Sequence, residues 1–278
     1  MEDALAFAAA NLTFGTSSVS THQVITIGGW NASPQMRQRV ARYLVGLRIN
    51  AITAGLAVRA ELIGTDADLI VEVPNNVQEI IGATATSLSA DQISKHRNPW
   101  MAEGLWHLCL AAAQRRAELH PPGAVMAVSL PHPKATDHGI DLAALYYRNG
   151  AIGLSIVETK AYQTDVAGAM HSSTVYFREI DEGGHGVRLR HLIATLRGGL
   201  PANNQPSFSD ALWKKTRCYL PNPHYDAAHG PDWATARPSL GALVPGAANV
   251  YVMPHAISGF TAFFEAISEE MRAAANSL

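Results

Sequence analysis

Asp141, Glu158 and Lys160 are the residues whose types and spacing could do chemistry in this chain. Glu158-Thr159-Lys160 closes an apolar run in which Ile152, Leu154 and Ile156 alternate. Residues two apart on a strand share a face, so Glu158 and Lys160 continue the face of those three side chains. Asp141 opens the preceding β-rich run, and the two runs meet at Asn149-Gly150. Both turn residues tolerate positive φ, which predicts a tight hairpin and brings the three charges to one end. A slip of one residue would send Glu158 and Lys160 to the face opposite Asp141, so the turn also sets the register. Charges at the end of an apolar strand are costly without partners, and such positions mark candidate chemistry. Magnesium takes oxygen ligands, often one or two carboxylates completed by water and substrate phosphate. Asp141 and Glu158 supply the carboxylates, and the Thr159 carbonyl is a candidate third oxygen. A lysine beside such an ion can position or deprotonate water and stabilise charge building on phosphorus. The set suits phosphodiester hydrolysis.

The elements that must position these residues are read from the flanking chain. Pro99 at a helix N1 position starts a helix over 99–119 that is apolar on much of its surface and carries Glu103 near its start. VMAVSL at 125–130 reads as a strand, followed by a loop with His132, Lys134, Asp137 and His138. Thr164 or Asp165 can cap a helix to about residue 178. Earlier, HQVITIG at 22–28 alternates as a strand and Met36 to Ile52 recur at helical spacing, with Arg37, Arg39, Arg42 and Arg48 mostly elsewhere on the cylinder. That arginine face is either solvated or in contact with phosphate. Residues 1–20 read as a short helix and a loop at Ser17-Ser18, and LAVRAELIG and DLIVEVP read as strands, with QEIIGATATSL ambiguous. GVRLRHLIATLRGGL is a helix or a strand-helix junction. A helix is expected over 210–219, a proline-rich irregular segment over 221–247, a strand at NVYVMP and a terminal amphipathic helix.

At 278 residues, with 47% hydrophobic and 16% charged residues, the chain can bury a substantial core, and its net charge of −2 argues against coating nucleic acid by bulk charge. No apolar run reaches the roughly 20 residues that span a bilayer, and the N-terminus is acidic where a signal peptide is basic, which predicts a cytoplasmic protein without membrane contact. Cys109 and Cys218 form no CxxC pair, so buried free thiols are expected. No P-loop motif is present, so any ATP-driven step would come from a partner.

Asp141, sixteen residues, then Glu158-Thr159-Lys160 on adjacent strands resembles the PD-(D/E)XK nuclease superfamily, whose motif places an acidic residue on one strand and Glu-X-Lys at the end of the next. Glu103 matches the extra glutamate that many members carry on the preceding helix. Ile140 stands where proline is common. The resemblance covers residues 99–180. It implies an α/β restriction-endonuclease-like core over 99–278, a central mixed sheet flanked by helices, with residues 1–98 as an N-terminal α/β lobe for partner docking or substrate guidance. It also implies a Mg²⁺-dependent deoxyribonuclease, with Mn²⁺ as substitute. Asp141, Glu158 and Glu103 would hold the metal and Lys160 would act on water and charge. Gln163 would contact substrate, as the corresponding glutamine does in exonuclease-like members. Arg188, Arg190, Lys214 and Lys215, with Arg197 and Arg217, are the candidates for a DNA phosphate surface. The arrangement is similar to nuclease subunits of Hachiman-type anti-phage defence, which work with a helicase partner. Three alternatives remain: a homodimeric restriction endonuclease, a catalytically silent member that binds nucleic acid or protein, and a structural domain in which Glu158 and Lys160 make ordinary surface ion pairs.

Overall fold

The computed structural model describes all residues except 64–66, 137–138, 201, 203–215, 234–237 and 278. Its centre is a mixed eight-stranded sheet in the order β1-β2-β8-β6-β5-β4-β3, with β7 also paired to β2. The strands are β1 Thr13–Val19, β2 His22–Trp30, β3 Ala124–Val128, β4 Leu142–Arg148, β5 Ala151–Ala161, β6 Arg217–Asp226, β7 Tyr251–Val252 and β8 His255–Ile257. Helices α1 Glu2–Asn11, α2 Pro34–Ile63, α3 Ala67–Ile81, α4 Asn98–Ala112, α5 Val166–Asp181, α6 Gly186–Gly198 and α7 Phe260–Asn276 surround it. One core joins α1, α2, α4 and α7 to one sheet face through Leu44, Trp106, Val157, Leu220 and Phe264. A second joins α5 and α6 to the other through Ile156, Met170, Phe177, Ile193 and Tyr219. The expected α/β class with a mixed sheet between helices is therefore present.

The hairpin forms as read. Asn149 has φ 52 and Gly150 φ 82, and Arg148 pairs with Ala151 to close a two-residue turn. Alternation on β5 then sends Ile152, Leu154 and Ile156 into the α5 core, and Val157 into the α4 core.

Several local expectations differ. The segment at Ser17-Ser18 is part of β1, paired residue by residue with β2, because a small, polar run becomes a strand once a partner strand lies alongside. The strands expected at LAVRAELIG and DLIVEVP fall in helices, apart from the undescribed residue 64: the first runs in α2 to Ile63, the second in α3. For α3 the reason lies further along, where Val73, Val77, Ile80 and Ile81 are buried at spacings of three and four, a period that the seven residues of DLIVEVP do not show. Gly82, at φ 78, ends that helix. Helix α4 stops at Ala112 rather than 119. The helix expected over 210–219 falls partly outside the described residues, and from Arg217 the chain is strand β6, which contains Pro221 and Pro223. Both prolines lie within the stretch read as irregular. They are tolerated because alternate residues of β6 face opposite neighbours: the His224 carbonyl accepts from Tyr162 on the β5 side, and the Pro221 carbonyl accepts from Met253 on the other. The missing N–H groups of Pro221 and Pro223 face that second side, where the chain breaks between β7 and β8. Residue 98 is no boundary in the sheet: β1 and β2 share it with β3 to β8, and α2 and α7 share one core.

Candidate active site

Strand β4 begins at Leu142, opposite Val157, while β5 continues past that point to Ala161. Carried one step further, that register sets Asp141 opposite Glu158. With the β4 ladder finished, the Thr159 N–H donates to Asp141 Oδ2 at 2.7 Å. Lys160 Nζ donates to Glu158 Oε1 at 2.5 Å. Asp141, Glu158 and Lys160 line one cleft of about 550 Å³, together with His171, Tyr176 and Glu179 of α5, His185, and Arg188 of α6. The three residues read from the sequence are thus brought together, and Arg188 faces them.

Glu103 is buried on α4 and meets the β3–β4 connection, where its Oε2 accepts from the His132 N–H at 3.4 Å and lies 3.2 Å from His132 Nδ1. The connection is held from behind. Trp100 Nε1 donates to the His132 carbonyl at 3.0 Å, and the Arg48 guanidinium donates to the Pro133 carbonyl and, at 3.2 Å, to that of Asn76. Arg48 is buried, so one member of the arginine-bearing face of α2 is a structural clamp. Arg37 and Arg39 are paired as well, with Glu270 and Asp3. Among the described residues, the group whose ligand atoms all lie within 4.8 Å of one another is Glu103, His132 and Asp141. Asp141 thus belongs both to this group and to the Glu158–Lys160 cluster.

Burial and mutual repulsion load the carboxyls. Burial, then the charge of Asp141, pushes Glu103 up to about 7. Burial raises Asp141 against the pull of Lys160 and the Thr159 N–H, and raises Glu158 well above its ordinary range, with Asp141 adding to the rise. For Lys160 burial is the largest single influence and disfavours the charge, but the charges of Glu158 and Asp141 and the Glu158 hydrogen bond together exceed it, so the ammonium is held protonated. Glu158 Oε2 and the Tyr176 hydroxyl are both buried and have no hydrogen-bond partner among the described residues. Buried polar atoms are rarely left so, and both lie on the wall of the cleft.

The other expected site residues divide. Gln163 is exposed, outside the cleft wall, and tied at its carbonyl to Asp226 and at Oε1 to Thr261. Arg190 is exposed on α6 and also lies off the cleft wall, as does Arg197. Arg217 is not a surface phosphate contact: it is buried and paired with Asp181 at 2.6 Å, which also accepts from Tyr219. Lys214, Lys215, Asp137 and His138 lie outside the described residues. Sequence reading missed three positions. His132 carries no motif and reaches the site only through a loop, Tyr176 is one aromatic among the apolar residues of α5, and Gly139 is silent until packed. A Cβ at Gly139 would lie 2.6 Å from Arg188 Nη1 and 3.3 Å from His132 Nε2, so only glycine allows both side chains this close.

Comparison with protein-family models and with curated proteins finds no match to this chain.

Proposed function

We propose that this chain is a metal-dependent nuclease with a restriction-endonuclease-like core that hydrolyses DNA phosphodiester bonds. The observation that carries the reading is the convergence of Asp141, Glu158 and Lys160 at the open end of one hairpin, on the wall of one cleft. The donors present fit a divalent cation: Asp141, Glu158 and Glu103 offer carboxylate oxygens, their charges are mutually unfavourable when buried, and Glu158 Oε2 lacks a partner. When bound, such an ion lowers the pKa of water and neutralises phosphate charge. The protein's own part follows from the side chains on the cleft wall. Lys160 Nζ, on the cleft wall beside Glu158, serves to orient the attacking water and to stabilise charge on the phosphoryl oxygens. Arg188 faces the same space from α6, and the Tyr176 hydroxyl offers a further donor. The direct Lys160–Glu158 bond is also what a catalytically silent member would show. The unpartnered Glu158 Oε2 and Tyr176 hydroxyl favour an occupant of the cleft.

Supercoiled plasmid incubated with the full chain and Mg²⁺ or Mn²⁺ should be cut, and EDTA should stop the cutting. Lys160→Ala and Glu158→Ala should each lower the rate by about 10²- to 10⁴-fold. Removing one partner of a buried ion pair costs about 3–5 kcal/mol, so melting curves must accompany the rates. Unchanged cleavage in both folded variants would exclude the proposed site.

A further inference from the structure

We infer that the cation is seated on Glu103, Asp141 and His132, with the imidazole as a nitrogen ligand, so that the site favours a first-row transition dication such as Mn²⁺ over Mg²⁺. The inference rests on the nuclease reading for the use of the ion, and on separate observations for its seat and kind.

The three ligand atoms lie within 4.8 Å of one another, although they come from α4, the β3–β4 connection and the residue before β4. Each is held independently of an ion. Asp141 is fixed by the Thr159 N–H, His132 by Trp100 and, through Pro133, by Arg48, and Glu103 by the buried face of α4. Glu103 Oε2 and His132 Nδ1 are 3.2 Å apart. That is a hydrogen-bond distance, but two donors bonded at roughly 2.1 Å and at right angles on one cation also lie about 3 Å apart. Glu158 stands differently, because Lys160 already occupies its Oε1. Its buried, unpartnered Oε2 on the cleft wall is an independent sign of an occupant beside Asp141, suited to accept from a water of the ion's shell. An imidazole among the oxygen donors suits first-row transition dications, Co²⁺ and Zn²⁺ more than Mn²⁺, and disfavours magnesium, which prefers oxygen alone and sheds water reluctantly.

The test is binding of Mn²⁺ alone to the full chain, read by pulsed electron paramagnetic resonance. Wild type should show the nitrogen coupling of a directly bound imidazole, and Mg²⁺ should displace Mn²⁺ only in large excess. His132→Ala should lose the coupling and weaken Mn²⁺ binding by about tenfold or more, with a smaller change for Mg²⁺. His132→Asn, which keeps a polar side chain beside Glu103, guards against a folding effect and should lose the coupling too. His171→Ala and His185→Ala, which remove the imidazoles lining the cleft, should retain it. Coupling that survives in both His132 variants, or its absence from wild type, overturns the inference. Cleavage supported by Mg²⁺ without any nitrogen coupling would remove this inference and leave the nuclease reading intact. His132-dependent coupling in a protein that cuts no DNA would do the reverse.

Discussion

Glu103 shows most directly how a single side chain couples the site to stability. Its carboxyl has an ordinary pKa near 4.5 and is pushed up to about 7 in the fold, chiefly by burial and then by Asp141. The folded state therefore holds a proton that the unfolded state releases. The stability this contributes is full below about pH 4.5 and is lost as pH rises through about 7, a span worth roughly 3 kcal/mol at about 1.4 kcal/mol per unit. In EDTA, melting curves from pH 5 to 8 should show Glu103→Gln lacking that part of the decline, so that the variant gains on wild type as pH rises. Adding Mn²⁺ should stabilise wild type more at pH 8 than at pH 6, because the ion replaces the proton. Parallel curves for the two proteins would show that Glu103 carries no such load.

At the scale of elements, the site is a product of strand ends that do not match. Strand β4 starts only at Leu142 while β5 runs on to Ala161, so the last stretch of β5 presents Glu158 and Lys160 beyond the β4 ladder, and the Thr159 N–H turns to Asp141. Both the mismatch and the shared face depend on the Asn149-Gly150 turn. One residue inserted between Gly150 and Ala151 would leave two outcomes: a bulge that preserves the register, or a slip that sends Glu158 and Lys160 into the α4 side. The apolar face of Ile152, Leu154 and Ile156 opposes the slip. An insertion nearer the site, between Val157 and Glu158, leaves only Ala161 of the strand's apolar residues after it to oppose a slip. That variant should lose cleavage in a protein that still melts cooperatively. Retained cleavage would count against the register described here. Helix α4, which carries Glu103, packs on α2 at a close approach where a Cβ on Gly104 would lie 2.2 Å from Leu44 Cδ2.

Across the whole molecule, the N-terminal segment is structural to the site rather than separate from it. Arg48 on α2 holds the loop that carries His132, and β1 and β2 complete the sheet beside β8. At that junction His255 stacks on Trp30 with ring centroids 5.3 Å apart and meets His224 at 4.2 Å. Burial, with His224 adding to it, holds His255 well below its ordinary pKa, and burial brings His224 down to about 3. For a histidine lowered in this way, stability is full above the unfolded value near 6.5 and falls away as pH drops below it. His255→Phe keeps a ring against Trp30 and removes one such group. Its stability relative to wild type should improve by up to about 1.4 kcal/mol for each pH unit below 6.5, measured by urea unfolding at pH 7, 6 and 5. A pH-independent difference would show that the imidazole is not neutral in the fold.

The sequence by itself determined what short-range physics fixes. Positive φ at Asn149-Gly150 specified the hairpin, and the period of two put Glu158 and Lys160 on one face. The alternation of β2 and the apolar surface of α4 were legible for the same reason, since each depends on residues within one or two turns. Tertiary structure decided what depends on distant partners. Strand β1 exists because β2 lies alongside it, and Pro221 and Pro223 fit a strand because the neighbouring side breaks at β7–β8. His132 joins Glu103 and Asp141 although 29 residues separate it from Glu103, because Trp100 and Arg48 hold its loop. Spacing along the chain carries no record of such a contact, and Arg217 shows the converse: a cation that reads as a phosphate contact is buried against Asp181.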